Sequence, residues 1–396
     1  MRIGLNCLRT APQYKGGINS FTFGLLDGFA ASKRQHDFVI FATPNNRDMF
    51  DAYVATGRFK LVEITESPKR RRLITNLDWQ VAYRLPLRLL NKIIYAPYAR
   101  IIEAEADVVY VPHGPTPFFP YPRIPTVYSI HDLQHIHFPQ FFTEEQRLER
   151  DAILAACTRH ASLLQATSQQ MKDEFLAHFR FLKPEQVPVI PEGVDVAAFS
   201  DRKNLTDLLT RYRLPKEFLF YPAQLWPHKN HITILKALVQ ARENGLTIPL
   251  VLTGARYPGS QSLFDFIAEN KLDDQVHYLG VVPYSDIIAL HQAARFMITA
   301  SVYEAGSIPM LEAAAAGTAI IGSATPSHTE HSRDLQMQLF PPVDHQALAD
   351  LLASVWGDDA LILRQTQINL TAIQKFTWQR ASERYLDVLE SLVRRP

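Results

Sequence analysis

Cysteine is nearly absent: Cys7 and Cys157 are the only two, far apart and in no metal-type spacing. That excludes a disulfide framework and fits a reduced compartment. No apolar run reaches the roughly 18 residues that a membrane-spanning helix needs. No charged-then-apolar leader precedes the strand-like run Arg2–Cys7, so the expectation is a cytoplasmic protein rather than a secreted one. The net charge is only +1, so any attraction to nucleic acid or membrane has to be local. The phosphate-binding glycine motifs are missing too. A dinucleotide oxidoreductase needs G-x-G-x-x-G after its first strand, and the Gly16-Gly17 loop does not supply it. Gly254 to Ser260 (GARYPGS) has P-loop glycine spacing without the lysine. No G-x-S-x-G hydrolase elbow occurs.

What is present is a soluble composition, 47% hydrophobic and 20% charged, over 396 residues. That length suits two domains. Short apolar runs alternate with helical patterns. Strands are expected in the first half at Arg2–Asn6, Phe38–Ala42, Phe59–Glu63, Val108–Val111, Thr126–Ile130, Leu163–Ala166 and Val187–Ile190. In the second half they are expected at Phe218–Pro222, Leu250–Leu252, Val276–Leu279, Phe296–Thr299 and Ala319–Gly322. Helices are expected between them, for example Ile18–Ser32, Ile232–Asn244, Tyr284–Ala293 and Pro309–Ala316. Strands apolar on both faces, separated by helices, imply parallel sheets covered on both sides. The fold class is therefore α/β, with two doubly wound Rossmann-like domains. The irregular stretch from Pro191 to Leu214 marks the break. Two such domains facing a central cleft would bind ligands at the carboxyl ends of their strands.

Tyr303 to Gly317 reads YEAGSIPMLEAAAAG and carries Glu304 and Glu312. Glu304 falls in the loop after a strand. Pro309 suits the start of a helix, which places Glu312 one turn in, and Gly317 suits its end. The amides of Gly306, Ser307 and Ile308 can face an anion, aided by the helix dipole. A carboxylate grips neighbouring hydroxyls with two acceptor oxygens. The combination suits a nucleotide sugar, one glutamate on ribose and the other on the sugar. The plainer alternative is a surface loop whose first-turn glutamate favours the dipole. Tyr221 to His231 (YPAQLWPHKNH) follows another strand. There Lys229 is a point charge able to meet a diphosphate without a metal, or simply a solvated lysine. Gly16 and Gly17 sit in the loop after the first strand, where a backbone can approach phosphate or simply make a turn.

These stretches together resemble the retaining glycosyltransferases of family 4, which have the GT-B fold. Glu304, Pro309, Leu311, Glu312, Ala313 and Gly317 match that family's Glu, seven residues, Glu signature. The resemblance implies that Glu312 holds the ribose, that Glu304 contacts the transferred sugar and that Lys229 binds phosphate. It also makes His131, in the step His131-Asp132, a contact to the donor sugar or the reacting centre. Three positions depart: Gly306 stands where an aromatic is usual, Ser307 where glycine is usual, and Gln224 where the family has an arginine beside the lysine. Arg256 is the candidate to replace that charge. Pro191 to Asp195 matches the interdomain turn, and Phe376-Thr377-Trp378 matches the start of a last helix that crosses back to the first domain. The expected division is 1–190 with 376–396 for the acceptor, and 191–375 for the nucleotide sugar.

His131, Asp132, His135 and His137 admit a rival reading as metal ligands, but no fourth-ligand pattern accompanies them and none is expected. Lys69 to Arg100 holds eight Lys/Arg against one acid, Asp78, interleaved with aromatics. That patch could meet an anionic membrane or a lipid-linked acceptor, or be a solvated basic face. No nucleic-acid motif appears. The expectation is a transferase that moves a sugar from a nucleoside-diphosphate sugar to an acceptor hydroxyl with retention, in cell-surface polysaccharide or glycolipid synthesis. It would need no cofactor and no metal, and would be cytoplasmic or peripheral on the inner face of the membrane. The alternatives are an epimerase of the same fold and a non-catalytic nucleotide-sugar-binding scaffold.

Overall fold

The computed structural model describes residues 1–11, 17–65, 98–112, 123–201 and 204–393. The chain forms two compact units, Met1–Gly193 with Trp378–Pro396, and Val194–Thr377. Each is built on one six-stranded parallel sheet with helices around it.

In the first unit the strands are β1 (Arg2–Asn6), β2 (Asp37–Ala42), β3 (Phe59–Glu63), β4 (Val108–Val111), β5 (Thr126–Ser129) and β6 (Leu163–Gln165). Their order is β3-β2-β1-β4-β5-β6. All four residues of β4 and of β5 are buried, which is why β4 is apolar throughout instead of alternating, while in β5 the buried Ser129 hydroxyl is hydrogen-bonded to Gln165. The expected strand at Val187–Ile190 does not form. Only an isolated bridge joins Val189 to Ala166. Pro188 offers its carbonyl to Ala166 but has no N–H to donate, and Pro184 and Pro191 close the segment on both sides.

The helix Trp378–Val393 returns to this unit and packs on the helix Gly17–Ala31. Two glycines make the approach. A Cβ on Gly24 would run into the Trp378 indole, and one on Gly28 would lie 2.5 Å from the Trp378 carbonyl oxygen and 2.7 Å from Ser382 Oγ. The Gly28 obstacle is backbone and cannot swing aside. Gly28→Ala is therefore expected to destabilise the first unit by about 1–3 kcal/mol through overpacking, despite the better helix propensity of alanine. Urea unfolding checks this, and unchanged stability would mean that the two helices separate freely.

The second unit holds β7 (Leu219–Pro222), β8 (Leu250–Thr253), β9 (Val276–Tyr278), β10 (Phe296–Thr299), β11 (Ala319–Ser323) and β12 (Gln338–Phe340) in the order β12-β11-β10-β7-β8-β9. β12 was not expected. It is a three-residue edge strand that starts on glutamine and runs into Pro341, too short to show as an apolar run. The core beneath the sheet gathers Leu219, Leu250, Ile298 and Ile321 with Ile234 and Leu352 from the covering helices. Strand order reverses between β7 and β10, which are neighbours. In open α/β sheets, ligands lodge outside the carboxyl ends of the strands at such a reversal. The loops that follow β7 and β10 are the ones that carry Lys229 and Glu304.

Candidate active site

After β7 the chain makes a short turn at Pro227–Lys229, and Asn230 takes a left-handed conformation to enter the helix His231–Glu243. After β10, Ser301 to Ser307 forms a loop before the helix Ile308–Ala316. The two loops are stitched together. Asn230 donates its side-chain amide to the Ala300 carbonyl at 3.1 Å, and the Val302 amide donates to the His228 carbonyl at 2.8 Å. Tyr221, buried at the end of β7, donates its hydroxyl to the Lys229 carbonyl at 2.9 Å and lies 3.1 Å from Ser301 Oγ.

This frame brings Lys229 Nζ to 2.5 Å from Glu304 Oε1, and Ser301 Oγ donates to the same oxygen at 2.6 Å. The lysine side chain is 23% exposed and the glutamate 14%. Burial works to raise the Glu304 carboxyl. Lys229 foremost, then His228 and His328 where acid has protonated them, outweigh it and hold Glu304 below the usual carboxylate range. A cation at the mouth of a loop is thus already oriented, with a carboxylate as its partner.

The helix Ile308–Ala316 begins beside this pair, with Pro309 in its first turn, and ends on Gly317, whose φ of 77° only glycine adopts freely. Among the described residues, no backbone carbonyl outside the helix pairs with the amides of Gly306, Ser307 or Ile308. An anion there would meet backbone donors and the positive end of the helix dipole. Glu312 is buried one turn further in. Its Oε1 accepts the Tyr284 hydroxyl at 2.8 Å, while His291 Nε2 lies 3.6 Å from Oε2, beyond hydrogen-bond reach. Gln224 takes no part in the Lys229 pair; its side-chain oxygen accepts the Trp226 indole N–H. Arg256 lays its guanidinium over the Phe264 ring, 3.9 Å from the centroid, and so is engaged elsewhere.

His131 belongs to the other unit. Its Nε2 donates to the Pro112 carbonyl at 2.6 Å, and its ring meets Phe21 edge-on. Burial lowers its pKa, with the Pro112 bond and Asp132 acting in the opposite sense. Its neighbours are engaged with other side chains, and Arg150 bridges two of them by donating its Nε to His135 Nδ1 at 3.2 Å. Asp132 pairs with Arg150, His135 with Asp151 at 3.2 Å, and His137 with Glu174 at 3.2 Å. Among the described residues no group of three or more His, Cys, Asp or Glu is placed to hold a metal ion. Gly17 opens the first helix, and Gly16 lies outside the described residues. So does most of the basic patch, from Lys69 to Lys92, whereas Arg100 is exposed on a helical segment. No helix among the described residues is long and apolar enough to cross a membrane.

Sequence reasoning missed Tyr221, Ser301, Tyr284 and His328. Tyr221 and Ser301 had one available signal, since both stand at the carboxyl ends of the two strands that flank the reversal. His328 had none.

Two family models match the chain. One, described as glycosyltransferase family 4, covers residues 15–198. The other, described as glycosyl transferases group 1, covers residues 201–370. Among curated relatives, the O-antigen chain mannosyltransferase B of Escherichia coli is 23% identical over 286 residues, 72% of this chain and 74% of that protein. The phosphatidyl-myo-inositol mannosyltransferase of Mycobacterium leprae is 26% identical over 205 residues, 51% of this chain and 53% of that protein. Among solved structures, Anabaena Alr3699/HepE in complex with UDP and glucose superposes with a TM-score of 0.74 at 19% identity, covering 99% of this chain and 100% of that one. The same protein in complex with UDP-glucose matches with the same TM-score.

Proposed function

Because the chain belongs to the glycosyltransferases of family 4, with their two-domain GT-B fold, we propose that it is a retaining hexosyltransferase whose donor is a nucleoside-diphosphate sugar held by the second unit. The observation that carries this reading is the Lys229–Glu304 pair at the strand reversal, set beside the amides of Gly306, Ser307 and Ile308 where the helix Ile308–Ala316 begins. Lys229 and those amides take the diphosphate. Glu312 takes the ribose hydroxyls, which requires Tyr284 to yield or share Oε1. Glu304 takes hydroxyls of the sugar. His131 is assigned to the reacting centre on the family pattern alone.

In the transfer, the bond from the anomeric carbon to the β-phosphate oxygen breaks and a bond to the acceptor oxygen forms on the same face. The acceptor proton passes to the departing phosphate, and Lys229 with the helix amides stabilises the charge that develops there. No metal is needed for that. The relatives named above are mannosyltransferases of O-antigen and phosphatidylinositol, which makes mannose the first sugar to test and a polysaccharide or lipid-linked glycan the first acceptor. We place the protein in the cytoplasm, with the basic stretch 69–100 against an anionic membrane.

Thermal unfolding with UDP, GDP, ADP and CMP, each with a chelator present, tests the donor site. One nucleotide at about a hundred times its dissociation constant should add about 2.7 kcal/mol. A flat result with all four, unchanged by Mg²⁺ or Mn²⁺, would overturn the reading. Binding of a nucleotide sugar with neither transfer nor hydrolysis would favour the scaffold alternative.

A further inference from the structure

His328 lies in the short helix Pro326–His331 that follows β11, and it is wholly buried. Its Nδ1 is 2.8 Å from the Ser323 carbonyl oxygen. A carbonyl only accepts, so Nδ1 carries the hydrogen, and Nε2 of the neutral ring holds a lone pair. That Nε2 is buried and has no hydrogen-bond partner among the described residues. From the Nδ1 side of the ring, a short chain of contacts leads through Ser323 to Glu304. Ser323 Oγ donates to the Ser301 carbonyl at 2.6 Å, and Ser301 Oγ donates to Glu304 Oε1 at 2.6 Å.

The charged groups that face His328 are few. Glu304 comes from the loop after β10 and Lys229 from the loop after β7. His228, next to Lys229, acts on Glu304, and His331 on the same helix feels His328 together with Glu330 and Asp334. Burial holds His328 neutral and Lys229 reinforces this, while Glu304 and the Ser323 carbonyl work the other way.

Lys229 cannot serve two anions equally. A diphosphate that draws its ammonium away leaves Glu304 buried with a hydroxyl as its remaining donor. The same displacement removes the charge that opposes a proton on His328. We propose that His328 is a positioning residue that takes a proton from solvent as the donor binds, and so replaces Lys229 as the positive partner that keeps Glu304 ionised toward the sugar. The inference rests on the donor site described above. His328 acts through Glu304 and need not touch the donor.

The test is isothermal titration of the wild-type chain with UDP-glucose and with GDP-mannose, in buffers of different ionisation enthalpy near neutral pH. These donors lack a phosphate that titrates in this range. The expected result is uptake of a large fraction of one proton per donor, with affinity tightening by up to about tenfold per pH unit as pH falls through the range of uptake. His328→Asn keeps a donor for the Ser323 carbonyl and removes the titrating nitrogen. It should bind the donor without uptake and with affinity independent of pH. His328→Leu should do the same if the asparagine variant does not fold. Donor binding by the wild type with no proton uptake, or uptake that persists in the variants, overturns the inference and leaves the donor site standing. Failure of the wild type to bind any nucleotide or nucleotide sugar overturns the donor site and the inference with it.

Discussion

Lys229→Ala is expected to lower kcat/KM by about a thousandfold and to destabilise the second unit at the same time. The first effect follows from its place. Removing one preorganised donor from a site of developing negative charge typically lowers rates by about 10²–10³, and Lys229 supplies a full charge in a pocket where its side chain is 23% exposed. The second effect follows from what it leaves behind. Glu304 is 14% exposed on its side chain and would keep Ser301 Oγ as a donor but no cation in contact. Breaking a buried pair from one side costs about 3–5 kcal/mol, and the partial exposure here puts the figure nearer about 2–3 kcal/mol. Glu304→Ala should abolish transfer comparably but destabilise less, since the lysine can extend into solvent. The combination Lys229→Ala with Glu304→Gln separates the two effects. The neutral amide still accepts from Ser301, so the double variant should be more stable than Lys229→Ala alone while remaining as inactive. Urea unfolding and initial rates decide the matter. Near-normal rates in Lys229→Ala would remove it from the site, and equal stability of single and double variants would show that the pair does not couple.

The parts of this site that could be read from the sequence are those that follow from a strand ending. Phe296–Thr299 is apolar on both faces and stops at Ala300, so Glu304 had to lie in a loop at a strand's carboxyl end. The expected strand Phe218–Pro222 placed Lys229 in the same way. Their contact could not be read, because 75 positions separate them and the reversal that makes β7 and β10 neighbours appears only in the sheet order. His328 shows the limit more sharply. It comes close to Glu304 because Thr299 pairs with Gly322 in the ladder between β10 and β11, so the loops leaving both strands start at one level. Nothing in the run PSHTEH announces that. The two errors in the fold are also local in origin. Prolines broke the strand expected at Val187–Ile190, and the three-residue edge strand at Gln338–Phe340 is too short for Leu339 and Phe340 to stand out as an apolar run.

A last expectation concerns acid. His231, the first residue of its helix, is buried with its ring 4.7 Å from that of Tyr221. Burial, and then the charges of Lys229 and His228, push its pKa down to about 3. In the unfolded chain it returns to its ordinary value near 6.5. Between those two values the unfolded chain binds a proton that the folded protein refuses. Stability must therefore fall as pH drops below 6.5, by up to about 1.4 kcal/mol for each pH unit, and it is flat above 6.5, where neither state holds the proton. At pH 5 the loss from this residue alone comes to about 2 kcal/mol. His131 and His328 are also held low by burial and add to the slope, so the total cannot be assigned without a variant. His231→Phe keeps a ring against Tyr221 and removes the titration. Its urea midpoint should decline less steeply than that of the wild type from pH 6.5 to pH 5, and the two curves should run parallel above pH 7. Parallel curves throughout would mean that the imidazole titrates near its ordinary value, and that the floor beneath Lys229 is wet.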